Sequence, residues 1–160
     1  MAGGGTPGGR RPWPIEDVRR LSTPPDLGND AHPTAGYCAV GARKFLVAWN
    51  IELDSTVLHA AREIARAIRE SSGGLPKVKA LGLALPSKNR VQVSINLIDF
   101  EVTPLHVVFD AVEALCKNVA GSELIGLIPQ AALDRSASHD LHWLNMRPEL
   151  VLENALKRST

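Results

Sequence analysis

Five histidines are the residues best suited to proton transfer or metal ligation: His32, His59, His106, His139 and His142. Only His139 and His142 stand close, three positions apart. A metal centre would need a third ligand and outer-shell partners, which the neighbouring sequence does not offer. His59 and His106 fall in helical patterns, where a solvated or capping role is expected. His32 lies in a loop, where functional residues concentrate. The two cysteines, Cys38 and Cys116, have no metal-ligand spacing. They read as reduced thiols of a cytoplasmic protein. No nucleophile elbow, P-loop or dinucleotide fingerprint is present, and "GGGTPGG" has neither a preceding strand nor a following helix.

The segment that departs from a generic pattern is "PDLGNDAHPTAGYCAVGARKFLVAWNIELDS", Pro25 to Ser55. A polar run rich in Pro and Gly passes directly into an alternating apolar strand. Small residues let a backbone approach a flat ligand closely. Further on, Asn50, Gln92, Ser94 and Asn96 fall at alternate positions of strands and should share one sheet face. Such a row suits a solvated face, or a surface that hydrogen-bonds a ligand or a second domain.

These residues need elements to position them. Phe45, Val47, Trp49, Ile51 and Leu53 alternate with Leu46, Ala48, Asn50 and Glu52, which predicts a strand. Asp54-Ser55 offers an N-cap for a helix near 55–71, with Val57, Ala61, Ile64, Ala65 and Ile68 inward. Ser71-Ser72-Gly73-Gly74 ends it. Val78 to Leu85 and Arg90 to Asp99 read as a hairpin joined by "PSKNR". Thr103-Pro104 starts a second helix near 104–119, with Thr as cap and Pro at the first helical position. Its predicted buried stripe is Leu105, Val108, Phe109, Val112, Leu115 and Cys116. A fourth strand over Gly121 to Ile128, a short helix "QAALDRS" and a last helix from about Pro148 complete the chain. The order β-α-β-β-α-β predicts an α+β, ferredoxin-like domain: a four-stranded antiparallel sheet with two helices on one face, plus a C-terminal helical tail. The other face would be open. That face and the region of Trp49 are expected to expose surface that a partner covers.

The chain has 160 residues, 44% of them hydrophobic, enough for one domain with a core. A formal net charge of +1 gives no electrostatic case for nucleic acid or an anionic membrane. No apolar run approaches the ~20 residues of a membrane span. Residues 1–24 read as a flexible Gly/Pro-rich lead-in, 25–43 as a linker and 44–160 as the domain with its tail.

"HPTAGYCAVGARKFLVAWNIELDS", "ARAIRESSGGLPKVKALGLAL", "VQVSINLIDFEVTPLHVVFDAVE" and "GSELIGLIPQAAL" together resemble glutamate formimidoyltransferase (formiminotransferase). The likeness runs from about Pro25 to Lys157 and matches that enzyme's C-terminal subdomain with the linker entering it. The family enzyme moves a formimidoyl group between N-formimidoyl-glutamate and tetrahydrofolate in histidine breakdown. Folate sits in a tunnel between two similar subdomains. The resemblance therefore implies a folate-contacting loop at Gly28, Asn29, Asp30, Ala31, His32, Pro33, Thr34, Ala35 and Gly36. Asn50 and Asn96 are the candidate polar contacts of the sheet face. The cofactor implied is tetrahydrofolate as co-substrate, with no metal. The catalytic histidine of the family, in a His-Pro-Arg context, belongs to an N-terminal subdomain with no counterpart here, and His32-Pro33 is not it. Transferase activity is thus expected only with an N-terminal half supplied in trans. The alternative is a non-catalytic folate-binding or regulatory module, or an inactive remnant. Expected partners are that separately encoded half, a second copy of the chain and a small-molecule folate, with no nucleic acid and no membrane. The expected compartment is the cytoplasm.

Overall fold

A computed structural model of the chain describes residues 34, 38, 42–116 and 118–158. The chain divides into two units, Met1–Ala42 and Arg43–Thr160, and nearly all described residues lie in the second.

The second unit holds β1 (Val47–Leu53), α1 (Leu58–Ile68), β2 (Val78–Leu85), β3 (Arg90–Leu97), α2 (Leu105–Glu113), β4 (Val119–Ile125), α3 (Gln130–Asp134) and α4 (Leu152–Arg158). The sheet order is β2-β3-β1-β4 with every neighbouring pair antiparallel. This is the ferredoxin-like split arrangement that the pattern predicts. Alternation explains the layering. Val47, Trp49, Ile51 and Leu53 of β1 and Val91, Val93, Ile95 and Leu97 of β3 are all buried against the helices. Ala61, Ile64, Ala65 and Ile68 of α1 recur at i, i+3, i+4 and i+7, as do Leu105, Val108, Phe109 and Val112 of α2, and all are buried. Each large side chain so buried contributes on the order of 1.5–3 kcal/mol.

Two close fits set the helix–sheet distance and the chain reversal. A Cβ on Gly82 would lie 2.4 Å from the Arg62 backbone nitrogen, so α1 rests directly on β2 there. Gly73 adopts φ +87 after the short 3-10 turn Glu70–Ser72, a conformation glycine takes without strain. The β2–β3 connection is a 3-10 turn, Pro86–Lys88, closed by Asn89 in the left-handed region. Asn tolerates that region better than most residues.

Several local expectations are corrected. Both helices are shorter than 55–71 and 104–119, and neither receives a side-chain cap at its N-terminus. Ser55 Oγ accepts a bond from Val57 N–H at 3.1 Å, which holds the approach to α1 rather than the helix. Thr103 Oγ1 instead donates to the Pro76 carbonyl at 2.6 Å, tying the α2 entry to the loop before β2. Pro104 is the N-cap itself. Val57 is exposed because it is extended and precedes the helical phase, and Leu115 because it follows the end of α2. Trp49 is fully buried, not part of an exposed region. It stacks on Phe109 with centroids 6.2 Å apart and tilts against Trp143 at 5.7 Å. The fourth strand starts earlier and ends at Ile125.

The tail covers the outer edge of β4. Ser122 N–H donates to the His142 carbonyl and Leu144 N–H to the Ser122 carbonyl, both at 2.8 Å. Further on, Ile128 N–H bonds the Leu150 carbonyl and Leu152 N–H the Ile128 carbonyl, both at 2.9 Å.

Candidate functional site on the open sheet face

Strand register places the outward side chains in rows across the sheet. One row reads Lys79, Asn96, Ala48, Ile125; the next Leu81, Ser94, Asn50, Glu123; the next Leu83, Gln92, Glu52, Gly121. Asn50 and Asn96 therefore share the open face as expected, in adjacent rows and on neighbouring strands. Asn50 is 9% exposed, while Asn96 is exposed.

The third row carries what pattern reading undervalued. Glu52 is 1% exposed, although it stands on the face away from the helices. Lys88 Nζ, from the hairpin turn, donates to Glu52 Oε1. Arg90 Nη1 lies 3.9 Å from Glu52 Oε2, and Arg90 Nη2 lies 3.6 Å from Asp54 Oδ1. Donation to the Glu52 carboxylate raises the Lys88 ammonium above the ordinary lysine range. Beside this cluster Gln92 is buried, and its Oε1 accepts no hydrogen bond among the described residues. A buried amide oxygen without a partner carries a desolvation cost of about 1–3 kcal/mol, which a donor on a ligand or neighbouring domain would remove. The parity that singled out Asn50 also selects Glu52. Its burial was not legible, because Lys88 and Arg90 come from the other end of a hairpin.

Leu81 and Leu83 at one edge of the face and Ile125 at the other are exposed. A polar centre with apolar flanks can hold a flat polar ligand by its hydrogen-bonding groups and pack the rest. Of the loop Gly28 to Gly36, only Thr34 belongs to the described residues, where it is exposed; the other loop positions lie outside them.

Among the described residues, His59, His106, His139 and His142 are not brought together as a metal centre. His139 stacks on His106 at 4.3 Å, and His142 meets the edge of Phe109 at 5.3 Å. Among the described residues no group of three or more His, Cys, Asp or Glu is placed to hold a metal ion. The two cysteines are free thiols, Cys38 exposed and Cys116 half-buried. No described helix is long and apolar enough to cross a membrane.

The profile of the formiminotransferase domain matches residues 48–157. The chain belongs to the formiminotransferase family. It is 44% identical over 114 residues to glutamate formimidoyltransferase of Streptococcus pyogenes, covering 68% of this chain and 38% of that protein. With glutamate formimidoyltransferase of Thermoplasma acidophilum it shares 34% identity over 148 residues, 90% of this chain and 49% of the relative. With formimidoyltransferase-cyclodeaminase of Sus scrofa it shares 45% over 134 residues, 76% of this chain and 25% of the relative. The chain thus spans less than half the length of each of these relatives. Its match to the family includes the whole open face, from Ala48 and Asn50 on β1 to Ile125 on β4.

Proposed function

We propose that this chain is the folate-binding half of a formimidoyl transferase. The completed enzyme moves the formimidoyl group between N-formimidoyl-glutamate and tetrahydrofolate, with an N-terminal half supplied in trans. The observation that carries the reading is the open face of a formiminotransferase domain, polar at its centre, with the Gln92 amide oxygen buried and without a donor among the described residues. In this reading the Gly28 to Gly36 loop and the Asn50 and Asn96 amides hold and orient the folate. Ile125, exposed at the β4 side of the face, packs against the second half. The acid-base histidine belongs to that half, so this chain binds and orients and does not itself move the proton. The reading carries histidine breakdown as the pathway and the cytoplasm as the compartment.

Calorimetry with tetrahydrofolate tests binding. Wild type should bind weakly, because in this reading the chain supplies one wall of the site and the N-terminal half the other. Gly36→Val should abolish binding, since a branched side chain prevents close backbone approach. Asn50→Leu should weaken it about tenfold, through one lost polar contact of ~1.4 kcal/mol. Asn89→Ala, in the hairpin turn, should not change it. Equal affinity for wild type and Gly36→Val removes the loop from the site. Transfer assays test the division of labour. Turnover should appear only on mixing with the N-terminal half of the Streptococcus pyogenes relative, because a placed acid-base group typically supplies ~10²–10⁴-fold. Turnover by this chain by itself overturns the proposal.

A further inference from the structure

The two edges of the sheet are treated differently. The outer edge of β4 is paired by residues 141–145, and its pairing with β1 is interrupted by a register shift at Glu52/Leu53. The outer edge of β2 is eight residues long, runs in unbroken register with β3 and contains no proline. Ile98 N–H donates to the Lys77 carbonyl at 2.8 Å. In an antiparallel pair this phase gives Lys79, Leu81, Leu83 and Leu85 the bonds to β3, and turns the N–H and C=O groups of Val78, Ala80, Gly82 and Ala84 outward. Among the described residues nothing pairs with them. A long, regular edge is a template for another strand unless something blunts it.

The two sides of that edge differ in chemistry. On the open face it carries Leu81, 61% exposed, and Leu83, 42% exposed. On the helix side Arg62, Arg66 and Arg69 form one stripe of α1 and its end, bordering a groove of about 580 Å³ beside Gly82. Glu63 also lines this groove and pairs with one of the three cations, which leaves the stripe a net positive charge. Arg66 meets Glu63 at 3.4 Å, Arg69 Nε donates to Ser72 Oγ at 2.7 Å, and Arg62 makes no ion pair among the described residues.

We propose that the β2 edge and this arginine stripe bind an acidic, extended polypeptide segment of a partner as a fifth strand. Outward backbone groups of Val78, Ala80, Gly82 and Ala84 supply the ladder bonds. Alternate side chains of the added strand fall on opposite faces, so apolar residues meet Leu81 and Leu83 while carboxylates reach the arginines. A second copy of this chain fits less well, because antiparallel pairing of two β2 edges sets one arginine stripe against the other. The outward backbone groups of β2 and the arginine stripe lie away from the amides proposed to hold folate, while Leu81 and Leu83 form the β2 ends of two open-face rows; strand addition does not depend on folate binding.

Fluorescence anisotropy of the full chain with a labelled peptide of alternating glutamate and valine tests this, with a lysine–valine peptide as the charge control. The acidic peptide should bind and the basic one should not. Amide hydrogen exchange should show new protection at Ala80, Gly82 and Ala84. Replacing Arg62 and Arg66 together by Glu, both exposed on α1, should weaken binding at least about tenfold. Ala84→Pro removes an outward donor without removing a ladder bond, a change an edge strand tolerates, and should weaken binding as well. Failure of the acidic peptide to bind, equal binding of the basic one, or protection confined to Asn50 and Gln92 overturns the proposal. So does a concentration-dependent dimer that Ala84→Pro dissociates.

Discussion

Lys88 reaches back from the β2–β3 turn to bond the Glu52 carboxylate, which is 1% exposed on the middle of the sheet. Lys88→Met leaves that carboxylate with Arg90 at 3.9 Å as its nearest cation. The expected loss is about 1–3 kcal/mol, below the usual penalty for breaking a buried pair because Lys88 is itself half exposed and Arg90 remains. Urea denaturation at neutral pH measures it.

The same bond has an alkaline signature. Lys88 is raised by its hydrogen bond to Glu52, so its folded-state value lies above its unfolded one. Its contribution is complete below the ordinary lysine range and is lost as pH rises through the raised value. Stability profiles at pH above the ordinary lysine range should therefore fall less steeply in Lys88→Met than in wild type.

Asp99 gives the opposite sign. Its carboxylate receives a bond from Lys44, with Lys44 Nζ 3.0 Å from Asp99 Oδ2, and is held below the usual carboxylate range. A depressed value adds stability above the unfolded pKa that is lost as pH falls through the folded one. Acid titration followed by circular dichroism should show less acid-side loss in Lys44→Met than in wild type.

Two glycine replacements should separate steric from backbone cost. Gly82→Val puts Cβ 2.4 Å from the Arg62 nitrogen and 2.5 Å from the Ala61 carbonyl carbon, both backbone atoms that cannot turn aside. It should cost about 3 kcal/mol. Gly73→Ala meets nothing within 4 Å and pays only for φ +87, about 1–2 kcal/mol. Thermal melts of both variants check the order.

Asn145 imitates a strand residue. Its Oδ1 accepts from Leu124 N–H and its Nδ2 donates to the Leu124 carbonyl, both at 2.9 Å. Asn145→Leu should lose about 1–3 kcal/mol, since it leaves both backbone groups at the edge of β4 without partners. It should also increase aggregation on heating, because a second strand edge is opened. Denaturation and light scattering report the two effects.

The elements were legible wherever one periodicity ran without interruption. Val91 to Leu97 alternates strictly, and Ala61, Ile64, Ala65 and Ile68 repeat at helical spacing; both lie as the pattern predicts. Element ends were less legible. Ser55 and Thr103 have side chains able to cap a helix, yet Thr103 bonds Pro76, 27 positions away. No local pattern contains that competitor.

For the candidate site the division is the same. Strand parity, together with the formiminotransferase likeness, singled out the open face and the amides of Asn50, Gln92 and Asn96, because side-chain direction in a strand follows from position alone. What parity could not supply was environment. Glu52 is buried because a hairpin turn returns Lys88 and Arg90 to it. Trp49 is buried because residues from α2 and the tail converge on it. One edge is closed and the other open because the tail pairs with Ser122 and Leu124, while no described segment pairs with β2. Each of these depends on chain segments distant in sequence meeting in space. Local order is set by near neighbours and is written in residue spacing, whereas burial and pairing are properties of the assembled surface and arise only when the chain has closed on itself.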